Sequence, residues 1–313
     1  MSRIAYLMLI TSILTLFSAS AQETEKPVRM VALVNPSELF IGFWYDAALQ
    51  PVDTMHLEAV YKLKYRMERG TGPHLEMLTV VQIGDPQVKY YSMIRQFTDD
   101  IQMDVMQQAK GLPAVPGVGV QHKYTEEERR IQSIAGTDRI NSEIWMNHSN
   151  RKLIERMHDY DRNNLSIEYE EDIPKFDWSL LEHTDTVCGY PCYTAKTTFR
   201  GRDWTVWYTQ EIPFAAGPWK FNGLPGLILK VQDRDMDYVW ECQHLLQKNE
   251  PIVYYKVESK TLSRKDWRRY LRLIHESPLS MLGHNGECEI YVKGKLVKES
   301  DNWTVPYNPI ELD

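Results

Sequence analysis

The sequence predicts an α+β fold that is mostly antiparallel β: a large, curved, half-barrel-like sheet with two or three helices packed on it. Three observations predict it. Runs of period-two alternation recur between turn-rich breaks, as strands joined by hairpins require. The βα alternation of a parallel sheet is missing. The chain also carries nine Trp and eighteen Tyr, and aromatic side chains pack well on pleated surfaces.

The first element is a leader. Met1-Ser2-Arg3 precedes an apolar run from Ile4 to Phe17, and Ser18-Ala19-Ser20-Ala21 follows. One positive charge, a short apolar core and an Ala-x-Ala site describe a secretory signal peptide cut after Ala21. The run is shorter than the ~20 residues that a membrane span needs. No later run could cross a membrane. The expectation is an exported protein of the periplasm or cell envelope, with residues 1–21 as leader and 22–313 as a single β-rich domain. Loss of Arg3 moves the formal charge from -7 to -8. An acidic chain without a basic block is a poor nucleic-acid binder, because phosphate neutralisation dominates that affinity.

Alternation then marks strands at Ala59–Met67, Leu75–Ile83 and Val88–Ile94. Helices are predicted over Phe97–Lys110 and Thr125–Ala135, the second opened by a Thr-Glu-Glu-Glu capping box. Ser142 to Tyr169 reads as three strands, joined at Asn147–Arg151 and Asp161–Asn164. Asn and Asp favour such turns. Tyr193–Phe199 and Trp204–Gln210 form a hairpin, with Trp204, Val206 and Tyr208 on one face and Thr205, Trp207 and Thr209 on the other. Strands follow at Leu227–Val231, Tyr238–Leu245 and Ile252–Val257. Ser263 caps a last helix, whose Trp267, Tyr270, Leu271 and Ile274 share a stripe. The tail reads as extended.

Between the hairpin and Leu227 lies the densest cluster of special backbone residues: Gly217-Pro218-Trp219-Lys220-Phe221-Asn222-Gly223-Leu224-Pro225-Gly226. Glycine reaches angles that other residues avoid, and proline fixes its own. Gly217, Pro218, Gly223, Leu224, Pro225 and Gly226 therefore read as a shaped turn between two strands.

Candidate chemistry is sparse. Cys188, Cys192, Cys242 and Cys288 are an even set, which in an exported chain favours up to two disulfides. Three pairings are open. Cys188 and Cys192 could join only across a turn, because four extended residues span ~13 Å. A second C-x-x-C pair is missing, so the sequence implies no metal. Asp233-Arg-Asp-Met-Asp237 opens like a calcium loop, but Tyr238 and His244 stand where glycine and glutamate are needed. A solvated turn is the expectation there. Glu168, Glu170, Glu171 and Asp172 read as a solvated acidic face, with acid–base work as the alternative. Nucleophile, zinc-protease and phosphate-loop motifs are missing, so neither a catalytic residue nor a cofactor is assigned.

Arg202, Trp204, Trp207, Tyr208, Glu211 and Trp219 remain as binding candidates. Aromatic walls with a few polar groups suit a ligand site; the competing reading is aromatic filling of a concave sheet, with Arg202 paired to an acid.

Gly189-Tyr190, Cys192, Ala195-Lys196, Gly201-Arg202, Trp207-Tyr208-Thr209, Glu211-Ile212-Pro213, Gly217–Phe221 and Gly223–Leu229 together resemble the core of the GLPGLI family of secreted Bacteroidetes proteins. Trp178 and Asn308-Pro-Ile-Glu-Leu312 agree more loosely. Cys188 lies outside the pattern. The resemblance implies an exported envelope protein and no catalytic residue. The function expected is an envelope binding or accessory protein that holds an apolar ligand, a peptide or an outer-membrane protein on an aromatic concave face. The alternatives are an envelope hydrolase or metal-dependent enzyme, and a structural partner of an outer-membrane complex.

Overall fold

The computed structural model describes residues 31–32, 48–94, 142–159, 165–256, 259–277, 290–292, 295–297 and 304–313. In chain order the strands are β1 (Val31–Ala32), β2 (Ala48–Tyr65), β3 (Leu75–Ile83), β4 (Gln87–Ser92), β5 (Ser142–Asn147), β6 (Lys152–Asp159), β7 (Leu165–Asp172), β8 (Ser179–Val187), β9 (Tyr190–Phe199), β10 (Arg202–Thr209), β11 (Leu227–Asp233), β12 (Tyr238–Lys256), β13 (Ser259–Thr261), β14 (Ile290–Val292) and β15 (Lys295–Val297). Helix α1 (Arg264–Glu276) lies between β13 and β14.

Twelve strands form one open sheet in the order β13-β7-β6-β5-β4-β3-β2-β12-β11-β10-β9-β8. Its neighbours pair antiparallel, except that β13 runs parallel to β7. A small sheet, β1-β14-β15, stands apart from it in pairing. The mostly antiparallel expectation therefore holds. The helix count does not: the described residues contain one helix where two or three were expected. The spans predicted over 97–110 and 125–135 lie outside the described residues. Within α1 the expected cap is present, Ser263 Oγ accepting from the Asp266 amide at 3.1 Å.

Hairpin chemistry sets the sheet's order. Cys188–Gly189 and Arg200–Gly201 each have both φ angles positive, the geometry of tight turns that match strand twist. They close β8 on β9 and β9 on β10. Alternation on β10 places Trp204, Val206 and Tyr208 in the interior, as their spacing predicts. A bulge between Trp207 and Tyr208 then breaks the alternation, so Thr209 is buried as well.

The main core runs along one face of the sheet, and a smaller buried cluster of Val60, Leu78, Val80, Tyr91 and Met93 lies on the other face of β2–β4. Trp204 sits at the centre of the main core, with ring centroids 5.0 Å from Phe221, 6.0 Å from Trp219 and 6.1 Å from Trp240. This end of the sheet is rolled. The side chain of Cys188, in the β8–β9 turn, lies close to the Cys242 thiol on β12 and helps to raise its pKa. In a flat sheet, β9 and β12 would lie three strand spacings apart, about 14 Å. Two cysteine side chains cannot span that distance, so the β8–β9 corner must curl back over the core.

Candidate functional site

The glycine-rich segment leaves β10 and crosses the rolled face before starting β11. It is pinned at both ends. Ala216 bridges to Asn222, and the Leu227 amide donates to Ile212 O at 3.0 Å. Gly226 allows the return. Its φ is +147°, and a Cβ there would stand 1.9 Å from Thr209 O. Between the pins, Trp219 takes a positive φ of 54°. Lys220 is thereby turned into the protein interior, where it is fully buried.

Three carboxylates from three distant segments meet the Lys220 ammonium. Its Nζ is 2.6 Å from Glu311, 2.9 Å from Glu155 and 3.4 Å from Glu171. It also donates to the Tyr169 hydroxyl, and that hydroxyl donates to Glu155 at 3.1 Å. Two further cations close the network. Arg200 pairs with Glu171 at 2.7 Å, and Arg264 of α1 pairs with Glu311 at 2.5 Å. Burial by itself disfavours a charged lysine, but Glu155, Tyr169, Glu311 and Glu171 outweigh it and raise the Lys220 pKa well above its usual range. Burial likewise raises the Glu311 carboxyl, yet Lys220 and Arg264 prevail and hold it down to about 2. Burial, with Glu155 second, pushes the Tyr169 phenol far upward.

Arg202 makes a second buried knot. Nη1 donates to Asp233 at 2.7 Å and to Asp237 at 3.3 Å. Nη2 donates to Asn308 Oδ1 at 2.6 Å and Pro309 O at 2.7 Å, and Nε to Ile310 O at 3.1 Å. The planar fork suits this converging set of acceptors. Tyr238 donates to Asn308 O as well. Gly201 lets the last residues pass: a Cβ there would stand 2.8 Å from the Leu312 Cβ. Residues 308–312 are thus tied to the sheet by Arg202, Lys220 and Arg264.

These ties enclose a chamber. Its walls come from Tyr90 on β4, Glu155 and Met157 on β6, Trp219, and Tyr238 and Trp240 on β12. Leu271 and His275 of α1 and residues 306–310 cover it. Its volume is about 80 Å³, where a single buried water needs roughly 10–15 Å³. Glu155 gives it a polar side, held by Ser142 Oγ at 3.0 Å. Trp240 Nε1 donates to the Tyr90 hydroxyl at 3.1 Å, and His275 stacks on Tyr307 at 4.3 Å. The arrangement can hold a small body between aromatic rings, beside a carboxylate already shared with Lys220.

Of the six binding candidates, Trp219 lines this chamber. Trp204 and Tyr208 are core residues. Arg202 directs its guanidinium to the tail and to two aspartates. Trp207 faces the other side of the sheet, with Lys230 Nζ 5.0 Å from its ring centroid, and Glu211 is exposed. The Asp233–Asp237 turn is solvated only at its tip: Arg234, Asp235 and Met236 are exposed, whereas Asp233 and Asp237 are buried against Arg202, with Arg66 also 3.5 Å from Asp237. With Asp235, Asp233 and Asp237 bring carboxylate oxygens within 4.8 Å of one another, but Arg202, Arg66 and Arg69 already pair with these three acids. The acidic run on β7 is split by strand geometry. Glu170 and Asp172 pair with Lys152 at 3.3 and 3.1 Å, while Glu171 turns inward to Lys220. Cys188, Cys192 and Cys242 are thiols, and Cys288 lies outside the described residues. His183 and Asp185 are exposed on β8.

Sequence reasoning missed Lys220, Glu155 and Glu311. One signal was present: Lys220 is a lone charge inside an otherwise apolar, turn-forming run.

Comparison with known proteins gives a short family match without an activity. A family model described as "Protein of unknown function (Porph_ging)" matches residues 200–230. That span holds Arg202, Trp219, Lys220 and the glycine-rich segment, and the model does not carry the GLPGLI name. No curated protein matches the chain. Two crystal forms of PNGF-II share 13% and 11% identity with it, at TM-scores of 0.45 and 0.44. They cover 70% and 69% of this chain, which spans only 34% and 32% of theirs. Among the described residues, no helix is long and apolar enough to cross a membrane.

Proposed function

We propose that the protein is an exported envelope binding or accessory protein, and that the chamber under Trp219 is its binding site. The observation that carries this reading is the chamber itself. It has aromatic walls, one polar side, and a cover made from a helix and the tail. The Lys220 network balances Glu155, so the site favours an uncharged occupant. A small molecule with an aromatic or alkyl body and one hydrogen-bonding edge fits that chemistry. An apolar peptide side chain presents the same features.

Phenol and indole are suitable probes, because each has a ring and a single donor. Either should raise the thermal midpoint of the wild-type protein at millimolar concentration, as any ligand selective for the folded state does. Met157→Trp should fill the chamber and abolish the response, and Leu271→Trp is a second filling variant. The reading fails if neither probe moves the wild-type midpoint, or if both filled variants respond as the wild type does.

A further inference from the structure

Cys188 stands where its residue type is least expected. It is the first central residue of the β8–β9 turn, with φ +51°, a conformation that favours Gly, Asn and Asp. A β-carbon is held there against backbone preference, which directs attention to what the side chain does. It reaches across the rolled sheet. It lies close to the Cys242 thiol on β12, next to a register shift between Cys242 and His244. Both side chains belong to the main apolar core.

Cys192 does not compete well for Cys188. Its thiol donates to Tyr190 O at 3.4 Å, within its own hairpin. The Val187–Tyr190 pair closes the turn, and Cys192 lies two residues further along β9, about 7 Å away. Its Cα is therefore outside disulfide reach of Cys188, which ends near 6.8 Å.

We propose that Cys188 and Cys242 are a disulfide-forming pair that fastens the rolled end of the sheet. The oxidant is a disulfide, either small or carried by a protein. The Cys188 thiolate attacks one donor sulfur and forms a mixed disulfide, releasing the first donor thiolate, which takes up the Cys188 proton. The Cys242 sulfur then attacks the Cys188 sulfur. It passes its proton to the second departing donor thiolate. Two electrons and two protons leave the protein, and the donor ends as two thiols. The half-buried Cys188 reacts first, because Cys242 is buried inside the core.

The step needs only the folded chain and a disulfide donor, so it stands apart from the chamber reading. The test treats the purified full-length protein with oxidised glutathione, quenches it in acid, alkylates free thiols and maps the peptides by mass spectrometry. The expected product joins the Cys188 and Cys242 peptides, lighter by two hydrogens than the reduced pair, with Cys192 alkylated. Cys188→Ser should leave Cys242 alkylated and abolish the link in a protein that still folds. Full alkylation of both cysteines after oxidation overturns the proposal. So does a dominant link that joins either Cys188 or Cys242 to Cys192 or to Cys288.

Discussion

Lys220 Nζ lies 2.6 Å from the Glu311 carboxylate, 91 residues downstream. The contact joins the glycine-rich segment to the tail. It also leaves Glu155 facing the chamber with its charge already shared.

Lys220→Met should therefore be severe. It strands Glu155, Glu171 and Glu311 with fewer cations in a buried setting, and breaking such a network from one side costs about 3–5 kcal/mol. Urea unfolding should show a lower midpoint. An unchanged midpoint would mean that the ammonium does not hold these carboxylates together.

Acid should loosen the tail first. The Glu311 carboxyl lies near 2 in the folded protein, below its ordinary 4.5. A depressed acid contributes its stability in full above the unfolded value. That contribution fades as pH falls from about 4.5 toward 2, and is worth on the order of 3 kcal/mol. Thermal midpoints measured across this window should drop steeply in the wild type. Glu311→Gln should start lower and show a flatter slope.

Arg202→Ala should loosen residues 308–310 and leave Asp233 buried without its cation, while Asp237 keeps Arg66 at 3.5 Å, at a cost of about 3–5 kcal/mol. Carboxypeptidase should trim the variant faster than the wild type. Arg202→Lys should rescue little, because an ammonium has three donors and lacks the planar fork. Equal trimming of all three proteins would show that another contact holds the tail.

Two glycines of one segment should behave differently. Gly226→Ala places a methyl group 1.9 Å from Thr209 O, and should lower stability by about 3 kcal/mol or more. The nearest atom to a Cβ at Gly223 is Trp178 Nε1 at 3.7 Å. Gly223→Ala should then lose only the price of a positive φ, about 1 kcal/mol. Paired denaturation curves decide it.

Much of the sheet was legible because its signals are local. β5, β6 and β7 appear where the Asn- and Asp-rich turns place them, and the Trp204 face is buried as its alternation predicts. β12 was not legible as one strand. In the sequence, one strand ends at Leu245 and the next begins at Ile252, yet Pro251 between them pairs with Thr54 of β2 beside a register shift. There β11 no longer flanks β12, since their pairing covers only Val239 to Glu241. A missing amide on that open side disrupts no ladder. The site was hidden for the opposite reason. Glu155, Glu171 and Glu311 each look like surface acids in their own sequence, and only the fold brings them to one lysine. Asp233 and Asp237 looked solvated because Arg202, which pairs with both, lies 31 and 35 residues earlier.

Reduction of the protein gives one more expectation. A Cys188–Cys242 link closes a loop of about 55 residues, which chain entropy values at about 4 kcal/mol. The reducing agent should lower the thermal midpoint of oxidised wild type by several degrees and leave Cys188→Ser unmoved. Identical midpoints with and without reductant would remove the stabilising role.

The Lys220–Glu311 contact also sets an order of events during synthesis. The lysine leaves the ribosome 91 residues before its closest acid. At about 5–20 residues per second, several seconds separate them. For that interval the central sheet can pair, but one wall of the chamber does not yet exist and Lys220 lacks its shortest ion pair. Closure waits for residues 306–312, so a chain stalled or clipped before residue 308 should keep its chamber open, as a surface that chaperones and proteases can recognise.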